Sequence, residues 1–148
     1  MNSVKRTILI SVFIIFLMPN YCLAQRSGQV EGHEADIKAA TEAALKWLEL
    51  IDSAAYAESW DQASAFFKAN TPKEKWVETL EGLMPQFGEN NKREADGSRY
   101  LTKIPGGPDG EYVMLRFNSS FENKEEAVET VTPAKDGETW RVSGYYIR

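Results

Sequence analysis

Residues 111–148, "EYVMLRFNSSFENKEEAVETVTPAKDGETWRVSGYYIR", decide the fold. Apolar and polar residues alternate along most of this stretch, a pattern typical of strands with one buried face. The strands are predicted over residues 111–121, 127–132 and 139–147. Asp136-Gly137 favours a tight hairpin turn between the last two strands. Strands joined by such short turns pair in an antiparallel sheet.

The sequence upstream predicts one more strand and a helical region. Residues 98–104 also alternate, and "PGGPDGE" supplies the turn that joins them to the next strand. From Glu34 the apolar residues recur every three or four positions, which predicts an amphipathic helix. A second helical stripe consists of Tyr56, Trp60, Ala63 and Phe67.

A third helix is predicted from "TPKEKW". Thr71 is the expected N-cap of a capping box, and Pro72 suits the first helical position. Trp76 and Leu80 are expected on its buried side, and Pro85 predicts that the helix ends near Met84. The sequence thus predicts an α+β fold, in which three N-terminal helices pack on one face of a curved, four-stranded antiparallel sheet.

The N-terminus, "MNSVKRTILISVFIIFLMPNYCLAQ", has the three parts of a secretory signal peptide. Lys5 and Arg6 precede an apolar run over residues 7–18, which is shorter than the roughly 20 residues that a membrane span needs. The small residue Ala24 predicts cleavage between Ala24 and Gln25. We therefore expect a signal peptide over residues 1–24, a mobile lead-in over residues 25–33 and a single α+β domain over residues 34–148, with no stable membrane span after cleavage. The expected location is the periplasm of a Gram-negative bacterium.

Charge and residue usage exclude several classes of function. The chain has 17 basic and 22 acidic residues, and such an acidic protein is a poor match for nucleic acid, which selects a basic surface. Cys22, the only cysteine, leaves with the signal peptide, so the fold must depend on an apolar core without a disulfide. His33, the only histidine, lies in the lead-in, and we therefore expect no catalytic triad, no metal site and no cofactor.

Carboxylate, tyrosine and arginine chemistry remains, and Glu129 is the main candidate because it interrupts the strand "AVETV". A two-residue turn at Asp136-Gly137 places Glu129 opposite Gly144. Two residues in the preceding turn would put Arg116 on the same face, as an accessible ion pair. Three would leave Glu129 within an apolar face, because a one-residue slip reverses every side chain. The ion pair is favoured, since lone carboxylates are rarely buried.

The last strand carries three large aromatic residues. The same register puts Trp140 and Tyr146 on the face of Glu129 and Tyr145 on the other. Gly144 in mid-strand often marks a bulge, which would turn one tyrosine outward. These aromatic residues are interpreted chiefly as core, with a ligand or partner surface as the alternative. The candidate binding residues are Arg116, Glu129, Trp140 and Tyr145.

Four blocks of the chain, in order, resemble a family of small secreted bacterial domains that is known only as domain of unknown function 4019. The blocks are "AALKWLELIDSAAYAESWDQAS", "KEKWVETLEGL", "PGGPDGEYVMLRFNSSFENKEEAVETV" and "WRVSGYYIR". The resemblance covers nearly all of residues 37–148. It implies a cone-shaped α+β fold, similar to the nuclear-transport-factor-two-like or cystatin-like class, and it implies no activity.

These observations favour a non-catalytic binding or interaction module of the cell envelope, whose partner is an envelope protein or a small apolar ligand. One alternative is a small pocket enzyme of the isomerase or dehydratase kind, which would use a buried carboxylate and a tyrosine. Another is a structural domain that forms a homodimer through its sheet. An enclosed pocket that contains a carboxylate would favour the enzyme.

Overall fold

The computed structural model describes residues 32–148 of the chain. The predicted signal peptide, its cleavage site and nearly all of the lead-in lie outside the described residues. The elements are α1 (Glu34–Asp52), α2 (Tyr56–Gln62), α3 (Ala65–Asn70), α4 (Lys73–Phe87), β1 (Asn90–Leu101), β2 (Tyr112–Phe121), β3 (Lys124–Asp136) and β4 (Thr139–Ile147). Within this part of the chain, no helix is both long and apolar enough to cross a membrane.

The four strands form one antiparallel sheet in the order β1-β2-β3-β4, which confirms the α+β class and the meander. β4 has the predicted bounds, whereas β1 begins at Asn90 instead of residue 98. The first part of β1, "NNKREADGS", does not alternate because β1 is an edge strand with nearly every side chain exposed. Charged side chains on an edge also discourage pairing with other chains.

The helical region has four helices rather than the three expected. The second predicted stripe divides at Ala63 and Ser64, which both adopt extended backbone conformations. The backbone N–H of Ser64 donates to the carbonyl of Val142 in β4 at 2.9 Å. The Ser64 hydroxyl then caps α3 by accepting from Phe67 N at 3.1 Å. Contact with the sheet edge therefore breaks the helix at this point.

Both predicted ends of the last helix, α4, are wrong. Thr71 is the C-cap residue of α3 and does not cap α4, and Pro72 occupies the N-cap position of α4 without a side-chain hydrogen bond. Pro85 lies inside the helix, which continues to Phe87. The helix ends at Gly88, whose φ of 76° is in the left-handed region that favours glycine.

The helices cover one face of the sheet, which we call the inner face; its other side is the outer face. Trp76 and Leu80, 8% and 1% exposed, belong to the core as expected. Trp76 lies at the centre of an aromatic group, with its ring centroid 5.0 Å from that of Phe67 and 6.0 Å from that of Trp47. The core side chains of the inner face are Val113, Leu115, Phe117, Phe121, Val131 and Val142.

Candidate functional site

Glu129 lies in the middle of β3, on the inner face, and is 0% exposed. It pairs with Phe117 of β2 and Ile147 of β4, so the predicted position opposite Gly144 is wrong. The turn between β2 and β3 has two residues. An irregularity in the strand pairing just after Ser119 shifts the register by one residue, so Glu129 faces Phe117, as a three-residue turn would have placed it. Glu129 therefore lies within an apolar sheet face. The sequence disfavoured this alternative, because lone carboxylates are rarely buried.

Two backbone features of the β3–β4 hairpin set the rest of the register. The turn residues are Gly137 and Glu138, one position later than expected, and Gly137 has a φ of 67°. Further along, Ser143 and Gly144 together oppose Thr132, which is a β-bulge. The bulge predicted from Gly144 is thus present, and it exchanges the faces of all the residues that follow it.

Four hydrogen bonds hold the carboxylate of Glu129. Oε1 accepts from Arg93 Nη2 at 3.1 Å and from the Tyr145 hydroxyl at 2.8 Å. Oε2 accepts from Arg93 Nε at 2.7 Å and from the Ser119 hydroxyl. An ionised carboxylate can only accept, and here every partner donates. The bonds offset the cost of burying the charge.

Arg93 connects this carboxylate to a second one at the surface. Its Nη1 and Nη2 donate to the two oxygens of Asp52 at 2.8 and 2.9 Å, and its own side chain is 11% exposed. Burial opposes the charge on the guanidinium, but the hydrogen bonds to Asp52 and Glu129 outweigh it and raise the pKa of Arg93. Asp52 is the last residue of α1, so the cation also lies at the helix end where positive charge is favourable.

The bulge brings Tyr145 onto the inner face, where its ring packs against Trp47 with centroids 5.5 Å apart. Burial and then the negative charge of Glu129 raise the pKa of Tyr145, so its hydroxyl keeps the proton that it donates. Tyr146 is 61% exposed on the outer face. The interpretation that one tyrosine is core and one is exposed therefore agrees with the structure. The flat-strand register that placed Tyr146 beside Glu129 is wrong.

The predicted ion pair between Arg116 and Glu129 is also wrong. Arg116 lies on the outer face, 53% exposed, and its Nε is 3.1 Å from Asp96 Oδ2. Trp140 lies half-buried near the start of β4, beside α1 rather than beside Glu129. Of the four candidate binding residues, the structure brings together only Glu129 and Tyr145.

Sequence reasoning missed Arg93, Asp52 and Ser119. Ser119 could have been found, because residues two apart in a strand lie on the same sheet face. Ser119 therefore shares a face with Leu115 and Phe117, which a three-residue turn would place on the face of Glu129. Arg93 could not, since it lies in the charged run of β1 that has no strand periodicity.

The polar groups of this cluster bind one another. Both oxygens of Glu129 are occupied, and no buried side-chain nitrogen or oxygen in residues 32–148 lacks a hydrogen-bond partner. Three surface grooves, of about 560, 250 and 230 Å³, are lined without Glu129. Within the described residues, no group of three His, Cys, Asp or Glu side chains could hold a metal ion. The carboxylate of Glu129 is thus buried and lines none of these three grooves.

The fold and this cluster define a small α+β protein with a four-stranded antiparallel sheet and a buried, hydrogen-bonded carboxylate. Residues 43–145 match the model of the family described as "Protein of unknown function (DUF4019)". The match covers more than half of the chain, and the protein belongs to that family. The chain matches no curated protein and no solved structure.

Proposed function

We propose that the protein is a non-catalytic interaction module of the cell envelope, which binds a protein partner through the outer face of its sheet. The observation that carries this proposal is the exposure of Tyr146 (61%) and Met114 (39%) on a sheet face over which no described helix packs. An exposed apolar patch rimmed by polar residues is typical of an interaction surface. A cone-shaped, cystatin-like arrangement of the helices on the sheet is part of the proposal.

The outer face has the chemistry of a protein-binding surface. Strand pairing aligns Arg116, Thr130 and Tyr146 across β2, β3 and β4. Tyrosine and arginine are enriched among the residues that carry most of the binding energy in interfaces. An open groove of about 560 Å³ adjoins this row and is lined by polar residues such as Asn118 and Ser120. A partner would therefore find both an anchor and hydrogen-bonding groups.

The geometry of Glu129 disfavours the pocket enzyme. A general base must reach the proton that it removes, within hydrogen-bonding distance. Arg93, Ser119 and Tyr145 already occupy the carboxylate, and they would have to leave before a substrate could take their place. The hydroxyl of Tyr145 donates to the acid itself, so it is not free to act as the tyrosine of such an enzyme.

Site-specific photo-crosslinking tests the partner surface. A photoreactive residue at Met114 on the outer face should give a discrete adduct in the envelope of the native host. The same residue at Glu42, on the exposed side of α1, is the matched control and should not. Tyr146→Ala should abolish the Met114 adduct. An adduct at twice the mass of the protein would instead support the homodimer, and equal labelling from both positions would contradict the proposal.

Export is tested separately. The signal peptide predicts that the protein recovered from its host begins at Gln25, and intact-mass analysis measures this directly. A retained Met1, or a lipid on Cys22, would contradict export by this route.

A further inference from the structure

Another of the three surface grooves, of about 230 Å³, lies between α1, the end of α2 and the start of β4. Its lining includes the polar or aromatic residues Lys46, Gln62, Trp140 and Arg141, together with Trp47 and Val142. We call it the Trp140 groove. No acidic residue lines it, although the chain has 22 acidic residues against 17 basic ones.

The two cations of the Trp140 groove are free. Lys46 and Arg141 are both exposed, and neither has a carboxylate within 4.0 Å in the described part of the chain. Within residues 32–148, the only hydrogen bond of the Arg141 side chain is a long one, 3.4 Å from Nη1 to the carbonyl of Gln62. It holds the guanidinium near the groove and leaves most of its donors available. Two unpaired cations beside a concave surface favour an anion there.

The indole of Trp140 adds a third free donor. The other three tryptophans donate their N–H groups within the chain, to Ser59 and Thr71. That of Trp140 has no acceptor in residues 32–148. Since no fully buried polar side-chain atom in that range lacks a partner, the Trp140 N–H is not fully buried. The residues that line the groove thus include two cations and an indole whose N–H makes no hydrogen bond within residues 32–148.

We propose that the Trp140 groove binds a carboxylate carried on a small apolar body. Lys46 and Arg141 bind the carboxylate, because a charge-assisted hydrogen bond is about twice as strong as a neutral one. Trp140, Trp47 and Val142 contact the apolar part. A volume of about 230 Å³ admits a group the size of one amino-acid residue. A free organic acid and the C-terminal residue of a peptide both have this chemistry. The proposal does not depend on the partner proposed for the outer face.

Titration of the indole N–H resonances of ¹⁵N-labelled protein tests the site. Trp140→Phe assigns the Trp140 resonance by its loss. N-acetylleucine should shift that resonance in a saturable way and leave the resonance of the buried Trp76 unchanged. N-acetylleucinamide, which has the same shape without the charge, should not bind, and inorganic phosphate should bind more weakly. The tripeptide Ala-Ala-Leu, with a free or an amidated C-terminus, distinguishes a peptide from a free acid as the source.

Charge-removing variants complete the test. Lys46→Gln combined with Arg141→Gln should weaken N-acetylleucine binding about tenfold or more, a loss of about 1.4 kcal/mol or more. Arg99→Gln removes one charge from another exposed and unpaired arginine, on β1, and should leave Kd unchanged. Arg141→Gln alone is the fallback if the double variant does not fold.

Three results would overturn the proposal. They are equal binding of the amide or of phosphate, an Arg99→Gln effect as large as that of the double variant, and no saturable shift at Trp140.

Discussion

Glu129 and Tyr146 lie on neighbouring strands, yet they meet opposite environments on the two faces of the sheet. On the inner face, Glu129 is 0% exposed and four donors occupy its oxygens. On the outer face, Tyr146 is 61% exposed, and its hydroxyl has no partner in residues 32–148. A buried charge must be paired to be tolerated. The carboxylate of Glu129, which is the main candidate in the sequence, is therefore the group least available to a ligand. The exposed tyrosine, rather than the buried carboxylate, is therefore the group open to contact with a partner.

The sharpest test of this comparison replaces one arginine on each face of the sheet by methionine. Arg93→Met should lower the free energy of unfolding by about 3–5 kcal/mol, because it leaves the buried Glu129 charge unpaired. Arg116→Met, on the outer face, should cost at most about 1 kcal/mol. Urea denaturation measures both. Adding Glu129→Leu to Arg93→Met should recover part of the loss. Similar costs for the two arginine variants would contradict the assignment of Arg93 as the partner of Glu129.

Two adjacent uncharged residues of β2 test the difference in burial between the two faces. Leu115→Ala removes a side chain that is 3% exposed on the inner face, and should cost about 2–5 kcal/mol. Met114→Ala, on the outer face, should cost less than about 0.5 kcal/mol, as exposed positions usually do. Chemical denaturation at neutral pH gives both values. A large cost at Met114 would show that this face is covered in the free protein.

The two tyrosines of β4 test the bulge. Tyr145→Phe deletes one of the donors to the buried carboxylate, and should cost about 1.5–3 kcal/mol, the range for hydrogen bonds to charged groups. Tyr146→Phe deletes a free hydroxyl and should have no measurable effect on the midpoint of unfolding. If the two effects are reversed, the strand continues without the bulge.

Alkaline pH should weaken the fold through the same residue. The pKa of Tyr145 is raised above its ordinary value of 10.0 by burial and then by the charge of Glu129. Above pH 10 the unfolded chain loses this proton while the folded one keeps it, so stability falls as pH rises, by up to about 1.4 kcal/mol per pH unit. Tyr145→Phe should therefore reduce the decrease in the free energy of unfolding that is measured between pH 10 and 11. Part of the decrease will remain in the variant, because partial burial and a hydrogen bond to Glu111 raise the pKa of Tyr100 to about 12. An unchanged slope would contradict the contact with Glu129.

The fold class was predictable because alternation over the last three strands is strong and their turns are short. The bounds of β4 and the bulge at Gly144 also followed from local patterns. The site was not predictable, since small register differences add up along the strands. A turn displaced by one residue and the bulge together move Glu129 from Gly144 to Ile147. Arg93 lies in an edge strand, where charged residues have no alternating signal.

The Asp52–Arg93–Glu129 cluster also bears on the order of events in folding. Its hydrogen bonds join residues that are 41, 36 and 16 positions apart, and they link α1 to β1, β3 and β4. Such contacts form only after long segments of chain have closed, which costs entropy before it brings any gain. The cluster should therefore assemble after the transition state. Bonds that form so late act mainly on the rate of unfolding, so the buried carboxylate governs how long a folded molecule lasts more than how quickly it is made.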